Sequence, residues 1–282
     1  MKPQKLMLAT AFSAGLAYSA AAQDAVPQND LLNATLWMEN AVEYKANTLA
    51  MYQLAKVRLD EALADKSWTA ATEQTGDYRD LPPAVILDSD ETAIDNGAYQ
   101  SWLVVTDGSY SGKTWDPWVE EAKADAVPGA VEFTQYADSK GVKVFYVTNR
   151  KDYQEEATRK NMEALGFPMG GNVDTFLMRS EKEEWTSAKS TRRAFIAKDY
   201  RVLLLIGDNY GDFSDDAEGS EAERLASFEA NMAHIARDWI FIANPEYGSF
   251  ESAPFMGDYK KSPDERRQLK IGTLPAWGGP MQ

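Results

Sequence analysis

Asp88-Ser89-Asp90-Glu91-Thr92, Thr148-Asn149-Arg150 and Gly207-Asp208-Asn209, with Asp212 close behind, each follow a short apolar run. The runs are Ala84-Val85-Ile86-Leu87, Val144-Phe145-Tyr146-Val147 and Leu203-Leu204-Leu205-Ile206. Such a set suits phosphoryl transfer. One aspartate can attack phosphorus and form an aspartyl-phosphate, splitting a hard displacement into two easier ones. A second, two residues on, can protonate the leaving alkoxide and later deprotonate the attacking water. Carboxylates gathered this closely repel one another and a phosphate, so they call for a cation. Hard oxygen ligands without His or Cys favour Mg²⁺ over zinc. Thr148 and Asn149 can donate hydrogen bonds to phosphoryl oxygens. Lys189, opening a helical stretch before the third run, supplies a positive charge.

The rest of the composition narrows the chemistry to carboxylates. The 282 residues carry 29 Lys and Arg against 44 Asp and Glu, a net charge of −15. An acidic chain of this kind is not held to a nucleic acid polymer or an anionic membrane by bulk electrostatics. There is no cysteine, which removes disulfides, thiol nucleophiles, Cys-rich zinc sites and a Cys-anchored lipid. The single histidine, His234, cannot build a multi-His metal site. It falls within a helical pattern at 226–236 and reads as a surface or satisfied helix residue. Gly108 to Thr114 resembles a phosphate loop but has three residues between its glycines where that motif needs four.

The elements that must position these groups follow from periodicity. The three runs are short and aliphatic without clean alternation, as buried parallel strands are. Helical patterns at 130–139, 155–165 and 187–198 separate them, and Trp239 to Ala243 adds a fourth run. Repeated β-then-α order predicts a doubly wound α/β domain, whose ligands gather beyond the carboxyl ends of the strands. Asn29 and Asp30 precede a long amphipathic helical pattern over 31–64, with Trp37, Ala41, Tyr44, Thr48, Met51, Ala55 and Leu59 on one face. The stretch 262–282 is rich in Pro, Gly and charge and is expected to lie over the surface.

The N-terminus reads as a secretory signal: Lys2 and Lys5, an apolar stretch to Ala17, then Ser19-Ala20-Ala21-Ala22 before Gln23. Removing residues 1–22 takes the net charge from −15 to −17, because it loses two lysines and no acids. The expected organisation is a signal peptide at 1–22 and a helical segment at 23–80 that contributes to a cap. A catalytic core at 81–261 follows, with a cap insertion at about 93–127, then a tail at 262–282. Export without cysteine fits a periplasmic or secreted protein, and a homodimer is compatible with the chain.

Asp88-x-Asp90-x-Thr92, Thr148, Lys189 and Gly207-Asp208-x-x-x-Asp212 match, in order, the four motifs of the haloacid dehalogenase superfamily. The longer segments Asp88 to Thr92 with Asp95, Asn96 and Tyr99, and Gly207 to Phe213, resemble the bipartite signature of class C bacterial acid phosphatases, which include the 5′-nucleotidase lipoproteins. Val127-Pro128-Gly129-Ala130, Val147 to Arg150, Asn244 to Ser249, and Trp37 with Glu43-Tyr44 are similar to that family as well.

The resemblance implies a Rossmann-like parallel sheet with a small helical cap, and an exported, Mg²⁺-dependent acid phosphatase. Small phosphomonoesters, nucleoside 5′-monophosphates among them, are the implied substrates. Asp88 would be nucleophile and metal ligand. Asp90 would be the general acid and base and bind the metal through its carbonyl. Thr148, Asn149 and Lys189 would hold the phosphoryl group, and Asp208 and Asp212 would complete the metal site. Trp115 and Tyr247 match the aromatic residues that clamp the leaving group, although Trp115 equally suits cap packing. Arg150, Arg192 and Arg193 read as structural or solvated.

The chain departs from the family at Ser89, usually aliphatic, at Tyr210-Gly211, and in lacking the lipid-bearing cysteine. Membrane anchoring is therefore not carried over. Two alternatives share the scaffold: a phosphotransferase, and a non-enzymatic periplasmic binding protein.

Overall fold

The structure, a computed structural model, describes residues 29–279. The expected signal peptide at 1–22 and the expected mature start at Gln23 lie outside the described residues. Among the described residues, no helix is long and apolar enough to cross a membrane.

The strands are β1 (Pro83–Leu87), β2 (Ile94–Asp95), β3 (Asp125–Ala126), β4 (Lys143–Lys151), β5 (Phe176–Arg179), β6 (Arg201–Gly207) and β7 (Trp239–Phe241). The helices are α1 (Leu32–Asn40), α2 (Val42–Ala64), α3 (Gly97–Val105), α4 (Gly112–Glu121), α5 (Ala130–Ser139), α6 (Glu155–Leu165), α7 (Ser190–Ala197), α8 (Glu221–Ala230), α9 (Ser249–Ser252) and α10 (Pro263–Gly272). Five strands form one sheet in the order β5-β4-β1-β6-β7, every pair parallel. This is the doubly wound α/β architecture expected from the alternation of elements.

Period-2 side-chain alternation divides the core between the two faces of that sheet. Val85, Leu87, Val144 and Tyr146 pack with Tyr52, Leu59 and Phe133 on the face covered by α2 and α5. Ala84, Ile86, Phe145 and Val147 pack with Ile196, Phe213 and Trp239 on the other. Truncating a fully buried side chain such as Leu59 to alanine costs about 2–5 kcal/mol. The central strands are thus clamped from both sides, which fixes where their carboxyl ends open.

Three readings of the sequence need adjustment. The single helix over 31–64 is two, because Ala41 is extended (φ −78°, ψ 126°). The break re-phases the buried face: Thr35 and Met38 face inward from α1, while Tyr44, Thr48, Tyr52, Ala55 and Leu59 do so from α2. Trp37, Ala41 and Met51, expected on that face, are only half-buried. Second, β5 was not among the expected strands, being a four-residue edge strand with little β-branched character. Third, the 262–282 stretch contains α10, capped by Ser262 through Glu265 and burying no side chain.

Residues between β1 and α5 form the insertion. Its ends meet where β2 and β3 pair antiparallel, Ile94 opposite Ala126 and Asp95 opposite Asp125. Between them, α3 and α4 enclose a small core of Tyr99, Leu103, Trp115 and Val119. Asn29 donates to the carbonyls of Leu103 (3.3 Å) and Gly108 (3.2 Å), tying the start of α1 to this cap.

Candidate active site

Asp88 is the first residue beyond β1, and its N–H reaches the carbonyl of Ile206 at 3.0 Å, extending the β1–β6 ladder by one step. Asp88 and Asp208, just past the end of β6, are therefore neighbours by register. Asp212 returns to them through a one-turn 3₁₀ segment, its Oδ2 accepting from the Asn209 N–H at 2.9 Å. Gly207 makes that return possible, since a Cβ there would run into the Asp212 carboxylate. Carboxylate oxygens of Asp88, Asp208 and Asp212 all lie within 4.8 Å of one another.

Lys189, immediately before α7, stands between two of them. Its Nζ is 2.6 Å from Asp88 Oδ1 and 2.7 Å from Asp212 Oδ1, with the side chain almost fully enclosed. Two buried arginines rivet this segment in place. Arg192 donates to the Thr148 carbonyl, to Asn149 Oδ1 (2.7 Å) and to the Thr186 carbonyl (2.8 Å). Arg193 donates to the Asp212 carbonyl (2.9 Å) and pairs with Glu73 (2.6 Å). Both are structural, as expected, and neither is solvated.

The electrostatics follow from crowding acids out of water. Burial pushes Asp88 up to about 7; Lys189 opposes this, while Asp212 and Asp90 reinforce it. Burial, then the charges of Asp212 and Asp88, hold Asp208 well above the usual carboxylate range, against hydrogen bonds from Asn244 and Thr92. Burial works against the Lys189 charge, yet Asp212 and Asp88 outweigh it and keep the ammonium above its ordinary pKa. A site that suppresses the charge of its own carboxylates is short of positive charge. The all-oxygen donor set of Asp88, Asp208 and Asp212 fits a hard divalent cation.

Around this group the remaining expected residues are distributed unevenly. Thr148 is fully buried within β4, three residues before its end, its Oγ1 accepting from the Arg150 N–H at 3.1 Å. The Asn149 side chain does not join the acids; it donates to the Ser187 carbonyl (3.0 Å) and accepts from Arg192. Asp90 turns to Arg150 and Asn96 rather than to Lys189. Trp115 belongs to the cap core, 5.1 Å edge-on from Tyr99, with Arg150 5.3 Å beneath its ring. Tyr247 is half-buried, and its hydroxyl donates to Glu91.

Two residues escaped the sequence reading. Glu91 is fully buried with a left-handed backbone (φ 53°), taking hydrogen bonds from Tyr247 and from the Asn96 N–H (3.1 Å). Burial, reinforced by Asp90 and Asp208, holds it well above the ordinary range, so it acts as a neutral or hydrogen-bonded anchor. Arg150, expected to be structural or solvated, instead grips the Asp90 carboxylate from a buried position. Arg150 lies within β4, and no local pattern announces its turn toward Asp90, a contact between elements.

Comparison with known proteins gives the family. Residues 4–250 match the family described as HAD superfamily, subfamily IIIB (acid phosphatase). The class C acid phosphatase from Bacillus anthracis is similar at 32% identity and a TM-score of 0.77, covering 88% of this chain and 97% of that one. A structure of the same enzyme with tungstate bound gives the same figures. Acid phosphatase 1 of Solanum lycopersicum is 26% identical over 161 residues, 56% of this chain. The chain spans 61% of the length of that curated relative. The resemblance drawn from the four motifs is thereby borne out: this chain belongs to subfamily IIIB of the HAD superfamily, the acid phosphatases.

Proposed function

We propose that the chain hydrolyses small phosphomonoesters by way of an aspartyl-phosphate on Asp88. The observation that carries this is the meeting of Asp88, Asp208 and Asp212 within 4.8 Å beside the Lys189 ammonium at the carboxyl end of a parallel sheet. A buried carboxyl nucleophile, an enclosed ammonium beside it and an oxygen-only donor set have that chemistry in common.

Asp88 attacks phosphorus through a carboxylate oxygen. The P–O bond to the leaving group breaks, its electron pair passing to the leaving oxygen, which takes a proton from Asp90. Asp90 then removes a proton from water as the water oxygen bonds to phosphorus. The bond between phosphorus and Asp88 breaks, returning its pair to the carboxylate. Lys189 holds one phosphoryl oxygen and screens Asp88 from Asp212, and the Thr148 hydroxyl is assigned to hold another. Asp88, Asp208 and Asp212, with the Asp90 carbonyl, would hold Mg²⁺, which supplies charge neutralisation for the incoming phosphate. The similar class C acid phosphatase from Bacillus anthracis binds tungstate, an oxyanion, which is in keeping with a phosphate ester as substrate here.

Nucleoside 5′-monophosphates are proposed among the substrates, with Trp115 and Tyr247 beside the leaving group. Export is proposed from residues 1–22, with the 93–127 insertion and α1 forming the cap. The test is metal-dependent phosphate release from an aryl phosphate by wild type and Asp88→Asn. Turnover that needs Mg²⁺ and vanishes in the variant supports the reading. A folded, Mg²⁺-loaded wild type silent from acid to neutral pH would sink it. Fractionation with N-terminal sequencing checks export, the expected start being Gln23.

A further inference from the structure

Asp90 does not hang free in the site. Arg150 approaches its Oδ1 with Nη2 at 2.8 Å and Nε at 3.0 Å, and Asn96 Nδ2 adds a third donor at 2.9 Å. Oδ2 receives only the Arg150 Nε, at 3.2 Å. The two oxygens of one carboxyl group are therefore unequal. Three donors fill the lone-pair directions of Oδ1 and leave no room there for a proton. Oδ2 is the oxygen that can carry one.

The grip is itself held from two sides. Arg150 Nη1 donates to Thr158 Oγ1 on α6 at 3.0 Å, and Nη2 reaches Asn96 Oδ1 at 3.1 Å. That same Asn96 oxygen accepts from Trp118 Nε1 at 2.9 Å, while the Trp115 ring lies over the guanidinium. Trp115 and Trp118 both belong to α4, so the cap helix braces the arginine and the asparagine that orient Asp90. A planar fork with a fixed array of donors suits this task, whereas an ammonium would not hold the carboxyl plane.

We propose that Arg150 is a positioning residue that fixes the Asp90 carboxyl plane, so that Oδ2 delivers the proton to the leaving oxygen. It acts through Asp90 and not on the substrate. This rests on the aspartyl-phosphate reading above and adds to it a dependence on the leaving group. An alkoxide departs only as it gains a proton, whereas a nitrophenolate is stable as an anion and departs without one. Loss of Arg150 therefore penalises alkyl phosphates far more than nitrophenyl phosphate.

The experiment measures kcat and KM for glycerol 2-phosphate and p-nitrophenyl phosphate at saturating Mg²⁺. The enzymes are wild type, Arg150→Met, Arg150→Lys, Asp90→Asn and the double variant Asp90→Asn/Arg150→Met. Loss of well-placed general acid catalysis predicts that Arg150→Met lowers kcat/KM, which reports departure of the leaving group and not the later hydrolysis common to both esters, about 100-fold for the alkyl ester and far less for the aryl ester. Arg150→Lys recovers only part of the loss. In the Asp90→Asn background, removing Arg150 costs nothing further on the alkyl ester, because the group it serves is gone.

An equal fall on both substrates, a rise in KM alone, or additive losses in the double variant overturns the proposal. If Arg150→Met does not fold by circular dichroism, Thr158→Val takes its place. It leaves the arginine but removes its anchor, and it must lower the alkyl-to-aryl ratio in the same direction; an unchanged ratio is fatal. A wild type inert on both esters brings down the phosphatase reading itself, whereas an active wild type with an unchanged ratio brings down only the role of Arg150.

Discussion

Lys189 Nζ sits 2.6 Å from Asp88 Oδ1 while reaching Asp212 Oδ1 at 2.7 Å, one enclosed ammonium shared between two buried acids. Replacing it by methionine keeps the volume and removes the charge. Loss of a preorganised donor of this kind predicts a fall in kcat of about 10²–10³. Thermal melts are expected to drop as well, since two buried carboxylates lose their partner. Steady-state kinetics and melting curves check both, and a variant that melts lower but keeps full kcat would remove Lys189 from the reaction.

Asp208 accepts from Thr92 Oγ1 at 3.0 Å and from Asn244 Nδ2 at 2.9 Å, one donor to each oxygen. Those two side chains orient the carboxylate toward Asp88 and Asp212. Asp208→Asn loses an anionic ligand, while its amide can still accept from Asn244 and donate to the Thr92 hydroxyl. Mg²⁺ affinity, read by titrating activity in chelated buffer, is expected to weaken about 10-fold or more. An unchanged midpoint would place the metal elsewhere.

Much of this site was legible because parallel strands buried on both faces announce where they end. Asp88, Thr148 and Asp208 each follow an aliphatic run, and sheet order then brings them together regardless of their separation in sequence. What stayed hidden depends on side-chain direction. Nothing local says that Asn149 turns to Arg192 and Ser187, or that Arg150 turns inward to Asp90, since both contacts cross between elements. Likewise the break at Ala41 has no proline or glycine to mark it; packing of α1 and α2 on different partners imposes it.

Tyr247 offers its hydroxyl to Glu91, and its ring is proposed to contact the leaving group. Those two roles separate on substitution. Tyr247→Phe removes a buried hydrogen bond worth roughly 1–2 kcal/mol of stability and keeps the ring. If the ring contacts the leaving group, Phe retains kcat/KM on nucleoside 5′-monophosphates while Tyr247→Ala loses it about 10-fold or more. Equal kcat/KM in the Phe and Ala variants would leave the ring without a part in binding.

Ser89 lies between Asp88 and Asp90 with its side chain fully buried and its Oγ without a hydrogen-bond partner among the described residues. An unpaired buried hydroxyl costs about 1 kcal/mol or more. Ser89→Ala is therefore expected to raise the melting temperature slightly and leave kcat within about twofold. A clear destabilisation would mean that the hydroxyl has a partner, such as an ordered water.

Glu246, beside Tyr247, is 2% exposed and neither of its carboxyl oxygens has a partner of good geometry. Burial pushes it up to about 7; Thr35 opposes this, and Asp95 and Glu39 add smaller repulsions. The sign follows directly. Between about 4.5 and about 7 the folded chain holds a proton that the unfolded chain has released, so stability falls as pH rises through that window. The contribution is complete below about 4.5 and lost above about 7. Glu246→Gln keeps the neutral shape at every pH. The variant is expected to flatten the slope of melting temperature over this range, and at pH 8 to melt higher by a few degrees, on the order of 1–3 kcal/mol. Parallel curves for the two proteins would sink the idea. A confirmed slope would tie part of the fold's best stability to the acidic side through this one buried carboxyl.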